Sequence, residues 1–211
     1  ERNLRVGNRY FADFLWACLI WHGNFAILSH MQKHKLFVEI GIHPRLSKRL
    51  MDKMAPYKEL PVKWVRQENL HVTVAFIGYV DESQIGEICE KVRVATENTE
   101  AFDLELAQIT FLPDDQAPQA IVALALPSKE MLDLVEKVEK ALGTFVASRK
   151  EYRAHITLGR IRAEKWDALE EAPRIDEKLH AIVSVEDIKV VESVSQKGGV
   201  QYLPLEVCPL I

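Results

Sequence analysis

The sequence predicts an α+β fold of two pseudo-symmetric lobes, each an antiparallel sheet with helices on the outside and a cleft between them. Three observations predict it. β-type stretches alternate with helical ones, and hairpin-like turns join the last strands. The order strand, Pro, helix, strand occurs twice: Pro44 precedes His71 by 27 residues, and Pro127 precedes His155 by 28. The second strand of each half opens with His-x-Thr, at His71-Val72-Thr73 and His155-Ile156-Thr157. Identity between the halves is slight, but the rarest feature falls at the same place in each, which is how an internal repeat reads.

The elements follow in order. Leu36 to Ile42 alternates as a strand that starts near Lys35. After Pro44, Leu46, Leu50 and Met54 recur at helical spacing. Val62 to Val65 makes a short strand, and His71 to Ile77 is a β-branched and aromatic run ending at Gly78. Ile85, Ile88, Cys89 and Val92 line one side of a helix from about Ser83 to Val94. Phe102 to Ile109 alternates as an edge-type strand, and Ala120 to Leu126 is a buried one. Ser128 is a good N-cap for a helix that runs to Leu142 and stops at Gly143. His155 to Leu158 is the second histidine strand. Parts of Ala181 to Ser193, and then Val200 to Val207, make the last strands, turning at Lys197-Gly198-Gly199.

At 211 residues and 24.1 kDa, with 48% hydrophobic and 27% charged residues, the chain buries a sizeable core. Disordered, collagen-like and coiled-coil readings are excluded. Cys18, Cys89 and Cys208 are far apart with no CxxC pair, so a reducing cytoplasm is expected and a cysteine-based metal site is not. Net charge is −4; the first 34 residues carry +2, leaving −6 on the remainder. A grip on long nucleic acid needs many cationic phosphate contacts, so an RNA end or short fragment is the expected scale of any nucleic-acid partner.

Residues 1–34 read as an N-terminal extension ahead of a bilobal domain over 35–211. Tyr10 to Leu28 is apolar and about membrane length, but Asp13, His22, Gly23 and Asn24 interrupt it. Three readings stay open: a leader foreign to the fold, an added helix packed on the domain, and a membrane or secretion segment. His30 and His34 stand at i and i+4, yet no acidic partner is in reach, and no metal site is expected there.

Side chains on a strand alternate between faces. By strict alternation His71, Thr73 and Ala75 share one face, and His155, Thr157 and Gly159 another; the bulky apolar residues between them face a core. Small Ala75 and Gly159 leave room beside each His-Thr pair. One such strand means little. Two in register put two imidazoles and two hydroxyls at one groove. Imidazole titrates near neutral pH, so one ring can take a proton from water while the other donates to a leaving oxygen, with no metal. Threonine hydroxyls can bond the non-bridging oxygens of a phosphate. A strained cyclic phosphodiester suits that set. No Walker-type glycine loop is present, and no cofactor is expected.

Four stretches carry a resemblance: KLFVEIGIHP at 35–44, VKWVRQENLHVTVAFIG at 62–78, YRAHITLGRI at 152–161 and SVSQKGGVQYLPL at 193–205. Together they resemble the two-histidine phosphoesterase superfamily, and within it the RNA 2',3'-cyclic phosphodiesterases, also called 2'-5' RNA ligases. The resemblance implies metal-independent hydrolysis of a terminal 2',3'-cyclic phosphate to a 2'-phosphate, reversible as ATP-independent 2'-5' ligation. It implies His71 as general acid and His155 as general base, a choice that the symmetric sequence itself does not make. Thr73, Thr157 and Arg160 become phosphate ligands, and Phe76 a ring beside the base or sugar. Strict alternation gives Arg160 and Phe76 the wrong parity for the cleft, unless a bulge or a strand end re-aims them. Tyr152 and Arg153 precede the second histidine strand and could rim the cleft, with surface residues the plainer reading, and Tyr202 reads as a strand aromatic.

The implied partners are RNA ends or cyclic nucleotides, tRNA fragments among them, met by a monomer with no membrane. Other readings stay open: a nucleotide or RNA-end binding module without turnover, a phosphodiesterase for 2'-5' oligoadenylate or a cyclic ADP-ribose phosphate, and two merely outward-facing strand histidines.

Overall fold

The structure is a computed structural model that describes residues 33–146, 151–171 and 173–211. The apolar stretch over 10–28 and His30 lie outside the described residues. The strands are β1 (Lys33–Gly41), β2 (Val62–Trp64), β3 (His71–Asp81), β4 (Phe102–Leu112), β5 (Ala120–Ala125), β6 (His155–Ile161), β7 (Glu177–Val185), β8 (Asp187–Gln196) and β9 (Gly199–Pro209). The helices are α1 (Pro44–Lys53), α2 (Glu82–Thr96), α3 (Lys129–Leu142) and the single turn α4 (Ala163–Trp166).

The strands form one antiparallel sheet in the order β7-β4-β5-β6-β3-β1-β8-β9, with β2 alongside β6. The expected two halves are present, four strands on either side of the β6–β3 seam. Strands β3 and β6 join there through one residue pair, Val72 with Ile156, and β2 pairs with the far end of β6. Both residues are fully buried, so the flanking His71, Thr73, His155 and Thr157 take the opposite face of the seam.

Each helix has its reason in the sequence. Pro44 opens α1, where its missing N–H costs nothing, and the His43 side chain accepts from the Arg45 N–H at 3.2 Å. Asp81 and Gln84 form a capping box on α2. Ser128 accepts from the Met131 N–H at 3.1 Å, and α3 buries Met131, Leu134, Val135, Val138 and Leu142 on one stripe. These stripes cover the face of the sheet that carries Val72, Val74, Ile156 and Leu158, all fully buried.

Three expectations change. The 102–109 stretch is an interior strand, because β7 pairs along its whole length; its alternation reflects one solvent-facing side, and the edge is β7. The 181–193 stretch is two strands that part at Glu186, β7 at one edge of the sheet and β8 next to the opposite edge strand, β9. His34, expected to have no acidic partner in reach, has Nδ1 2.8 Å from Glu192 Oε1 on β8, a partner supplied by strand pairing and invisible to local spacing. The β8–β9 hairpin turns at Lys197-Gly198, and Gly198 and Gly199 have φ of +102° and +142°, which glycine adopts without strain. Among the described residues no helix is long and apolar enough to cross a membrane.

Candidate active site

The two histidines are held alike. The His71 Nδ1 lies 2.8 Å from the Asn69 carbonyl, and the His155 Nδ1 lies 2.7 Å from the Arg153 carbonyl. A carbonyl only accepts, so Nδ1 carries the proton in both rings and each Nε2 is left to the shared face. The loop before each strand supplies the clamp two residues ahead of the histidine. Asn69 is itself fixed, its amide donating to the Val200 carbonyl at 2.8 Å. The His71 Nε2 lies 3.1 Å from the Thr73 hydroxyl.

His71 and Thr73 flank Val72 on β3, and His155 and Thr157 flank Ile156 on β6, so the four residues gather about this one pair on the opposite face of the seam. Burial pushes the His71 pKa down; the Asn69 carbonyl opposes this, and the charges of His155 and Arg160 push it further down. Those charges act on His71 because both residues sit close to it.

Two bulges complete the set. Along β1 and β3, Thr73 pairs with Glu39, Ala75 with Val38 and Phe76 with Phe37, so Val74 is the extra residue. Along β5 and β6, Thr157 pairs with Val122, Gly159 with Ile121 and Arg160 with Ala120, so Leu158 is the extra residue. Each bulge reverses the parity after it. Phe76 and Arg160 thereby join the histidine face, at matching places in the two halves. Phe76 is 59% exposed; Phe37, opposite it, packs 5.0 Å from the His71 ring.

The same bulges correct the placing of Ala75 and Gly159. Both turn to the core face. Ala75 is fully buried, and a Cβ on Gly159 would collide with Val62 Cγ1 and lie 3.0 Å from Trp64 Cε3. Their smallness serves packing, not access to the histidines.

Three further neighbours belong to the site, of which Glu39 was not singled out in the sequence and Tyr202 reads there as a strand aromatic. Tyr202 packs edge-on to His71 with centroids 5.3 Å apart, closing a triangle with Phe37. Tyr152 donates its hydroxyl to the Thr73 carbonyl at 3.0 Å, tying the entry of β6 to β3. Glu39 places Oε2 3.7 Å from the His71 Nδ1; burial pushes its pKa up to about 7, with Lys189 pulling down and Asp187 pushing up. The signal for Glu39 was present in the sequence, a lone carboxylate at the centre of an apolar strand. Beside His155, a cavity of about 350 Å³ opens between Leu126, Leu132, Tyr152 and Arg153.

Comparison with known proteins agrees with this architecture. A family model described as LigT like phosphoesterase matches residues 42–122. An RNA 2',3'-cyclic phosphodiesterase of Aeropyrum pernix is 31% identical over 162 residues, covering 74% of this chain and 90% of the relative. One of Thermotoga maritima is 25% identical over 183 residues, covering 82% and 94%. A crystal structure of a Thermus thermophilus protein superposes with a TM-score of 0.69 at 24% identity, covering 83% of this chain and 97% of the other. Escherichia coli LigT gives 0.69 at 19% identity, covering 85% and 98%.

Proposed function

Since the chain belongs to the LigT-like phosphoesterase family, we propose that it hydrolyses terminal RNA 2',3'-cyclic phosphates to 2'-phosphates by two-histidine acid–base catalysis. The observation that carries this reading is the matched clamping of both rings, each donating Nδ1–H to the carbonyl two residues back. Both Nε2 atoms are thereby presented at one seam.

In this reaction neutral His155 takes a proton from water through Nε2 as the water oxygen bonds to phosphorus. The bond from phosphorus to the 3'-oxygen breaks, and protonated His71 delivers its Nε2 proton to that oxygen. The product carries a 2'-phosphate and a free 3'-hydroxyl, and the two rings have exchanged protonation states. Thr73 and Thr157 hydrogen-bond the non-bridging oxygens, and the Arg160 guanidinium stabilises the charge that builds on them. Phe76 offers its exposed ring to the base or sugar. With a 5'-hydroxyl in place of water, the same groups open the ring onto that oxygen, giving a 2'-5' phosphodiester and a free 3'-hydroxyl, which is 2'-5' ligation without ATP. Both proton transfers are made by imidazoles, so the reaction as written needs no metal. The partners are RNA ends or cyclic nucleotides, tRNA fragments among them, met by a monomer in the cytoplasm.

The test is a cyclic-phosphate-ended oligonucleotide incubated in EDTA with wild type, His71→Ala and His155→Ala. The expected result is a 2'-phosphate product from wild type and losses of about 10²–10⁴-fold or more in each variant. Binding without product would reassign the protein as an RNA-end binding module, and loss of activity to chelator would sink the metal-free mechanism.

A further inference from the structure

The two histidine strands match so closely that their clamps do not say which ring is acid and which is base. Their surroundings do. On β1, Glu39 stands directly opposite Thr73. On β5, the corresponding place opposite Thr157 is taken by Val122, which is fully buried. The correspondence holds in the sequence too: Glu39 lies five residues before Pro44, and Val122 five before Pro127. One histidine therefore has a carboxyl beside it where its counterpart has an isopropyl group.

We propose that Glu39 is the positioning residue that makes His71 the acid of the pair, by holding a carboxylate behind its Nδ1 while His155, backed by Val122, stays neutral as the base. This rests on the two-histidine reading above. The geometry has three parts. Glu39 Oε2 is 3.7 Å from His71 Nδ1. That oxygen is buried and has no hydrogen-bond partner among the described residues, so its charge is not spent on another donor. The approach is from the Nδ1 side, away from Nε2, which lies beside the Thr73 hydroxyl.

The groups facing Glu39 are few. From β8 come Lys189, which favours the carboxylate, and Asp187, which opposes it. From β9 comes the Tyr202 hydroxyl, whose pKa is pushed up by burial and then by Glu39. From β3 comes His71 itself, on which His155 and Arg160 of β6 also act, both against the imidazolium. Burial, His155 and Arg160 push the His71 pKa down, and the Asn69 carbonyl pushes it up. By the proposal, the carboxylate 3.7 Å from Nδ1 acts on the same side as that carbonyl. That carboxylate favours the imidazolium by charge, while the Nδ1–H stays donated to the Asn69 carbonyl. The proton that His71 delivers is taken up at Nε2 from solvent before the reaction, which gives the form that can protonate a leaving oxygen.

The experiment follows the imidazole resonances of His71 and His155 by NMR against pH in the full chain, for wild type, Glu39→Gln and Glu39→Asp. The pH dependence of kcat/KM on a 2',3'-cyclic nucleotide is measured alongside. In Glu39→Gln the His71 midpoint falls by about one pH unit, as expected for losing a carboxylate at this distance, and His155 moves much less. The alkaline limb of kcat/KM moves to lower pH by the same amount, and Glu39→Asp, which keeps the charge, restores part of both. An unchanged His71 midpoint, or an equal shift at His155, overturns the proposal whether or not the protein turns over. If wild type shows no turnover on the cyclic nucleotide, the function reading fails while the titration still decides the Glu39–His71 coupling.

Discussion

Glu39 ties native stability to pH as well as tuning a ring. Its folded pKa is pushed from an ordinary 4.5 up to about 7, chiefly by burial. Between those values the native state holds a proton that the unfolded chain has released. Stability from this group is therefore fully present below pH 4.5 and is lost as pH rises to about 7. The linked free energy is on the order of 3 kcal/mol. Glu39→Gln keeps the shape and removes the ionisation. Chemical denaturation of the two proteins at about pH 5 and about pH 8 should show the variant gaining on wild type by up to about 3 kcal/mol at the higher pH. An equal difference at both pH values would mean that the carboxyl ionises freely in the native state. A buried carboxyl that weakens the fold as pH rises towards 7 adds nothing to stability there, in keeping with a role beside His71.

The bulges at Val74 and Leu158 show which parts of each element were legible in the sequence. HVTVAFI and HITL announced strands through their β-branched residues, and the spacing of Leu46, Leu50 and Met54 announced a helix, because those signals are local. A bulge is set by the partner strand. Val38 and Ile121 fix where β3 and β6 must skip a residue, and neither is near the bulge in sequence. Alternation therefore held up to Thr73 and Thr157 and failed one step later, at Ala75 and Gly159. Glu39 and Tyr202 escaped for the same reason: a polar residue on a strand reads as outward, and only the register says outward onto what. The packing consequence is testable at Gly159. An added methyl meets Val62 and Trp64, so Gly159→Ala should cost about 1–3 kcal/mol by overpacking. Gly86, inside α2 with nothing within 4 Å of its would-be Cβ, is the contrast. There the same change should stabilise by about 0.4–1 kcal/mol, through the unfolded chain. Urea midpoints of the two variants should move in opposite directions; a shift of the same sign in both would mean β6 does not pack on β2 as described.

The whole described domain is two matched halves, yet little about its connections lets one half fold alone. Strands β3 and β6 join only at Val72 and Ile156, a seam too short to couple two sheets by itself; β2, ahead of β3, adds three residue pairs along β6. The coupling comes from elements that cross over. Helix α1 follows a strand of one half and reaches the edge strand of the other, where Arg49 donates to the His180 carbonyl at 3.1 Å. Tyr57, just beyond α1, donates to Glu177 at 3.0 Å. Helix α3 follows β5 in the second half and packs over β3 in the first. The buried residues make one continuous cluster through both halves. A domain tied in this way should unfold as one unit, because releasing either half exposes the apolar face of the other. Ile156 is the sharpest probe, fully buried at the seam. Ile156→Ala should cost about 2–5 kcal/mol and lower Tm by several degrees or more. It should leave a single calorimetric transition whose calorimetric and van't Hoff enthalpies agree. Two resolved transitions in the variant, or in wild type, would show that the seam alone couples the halves. The two histidines, one on each side of it, would then depend on a joint that opens before either half melts.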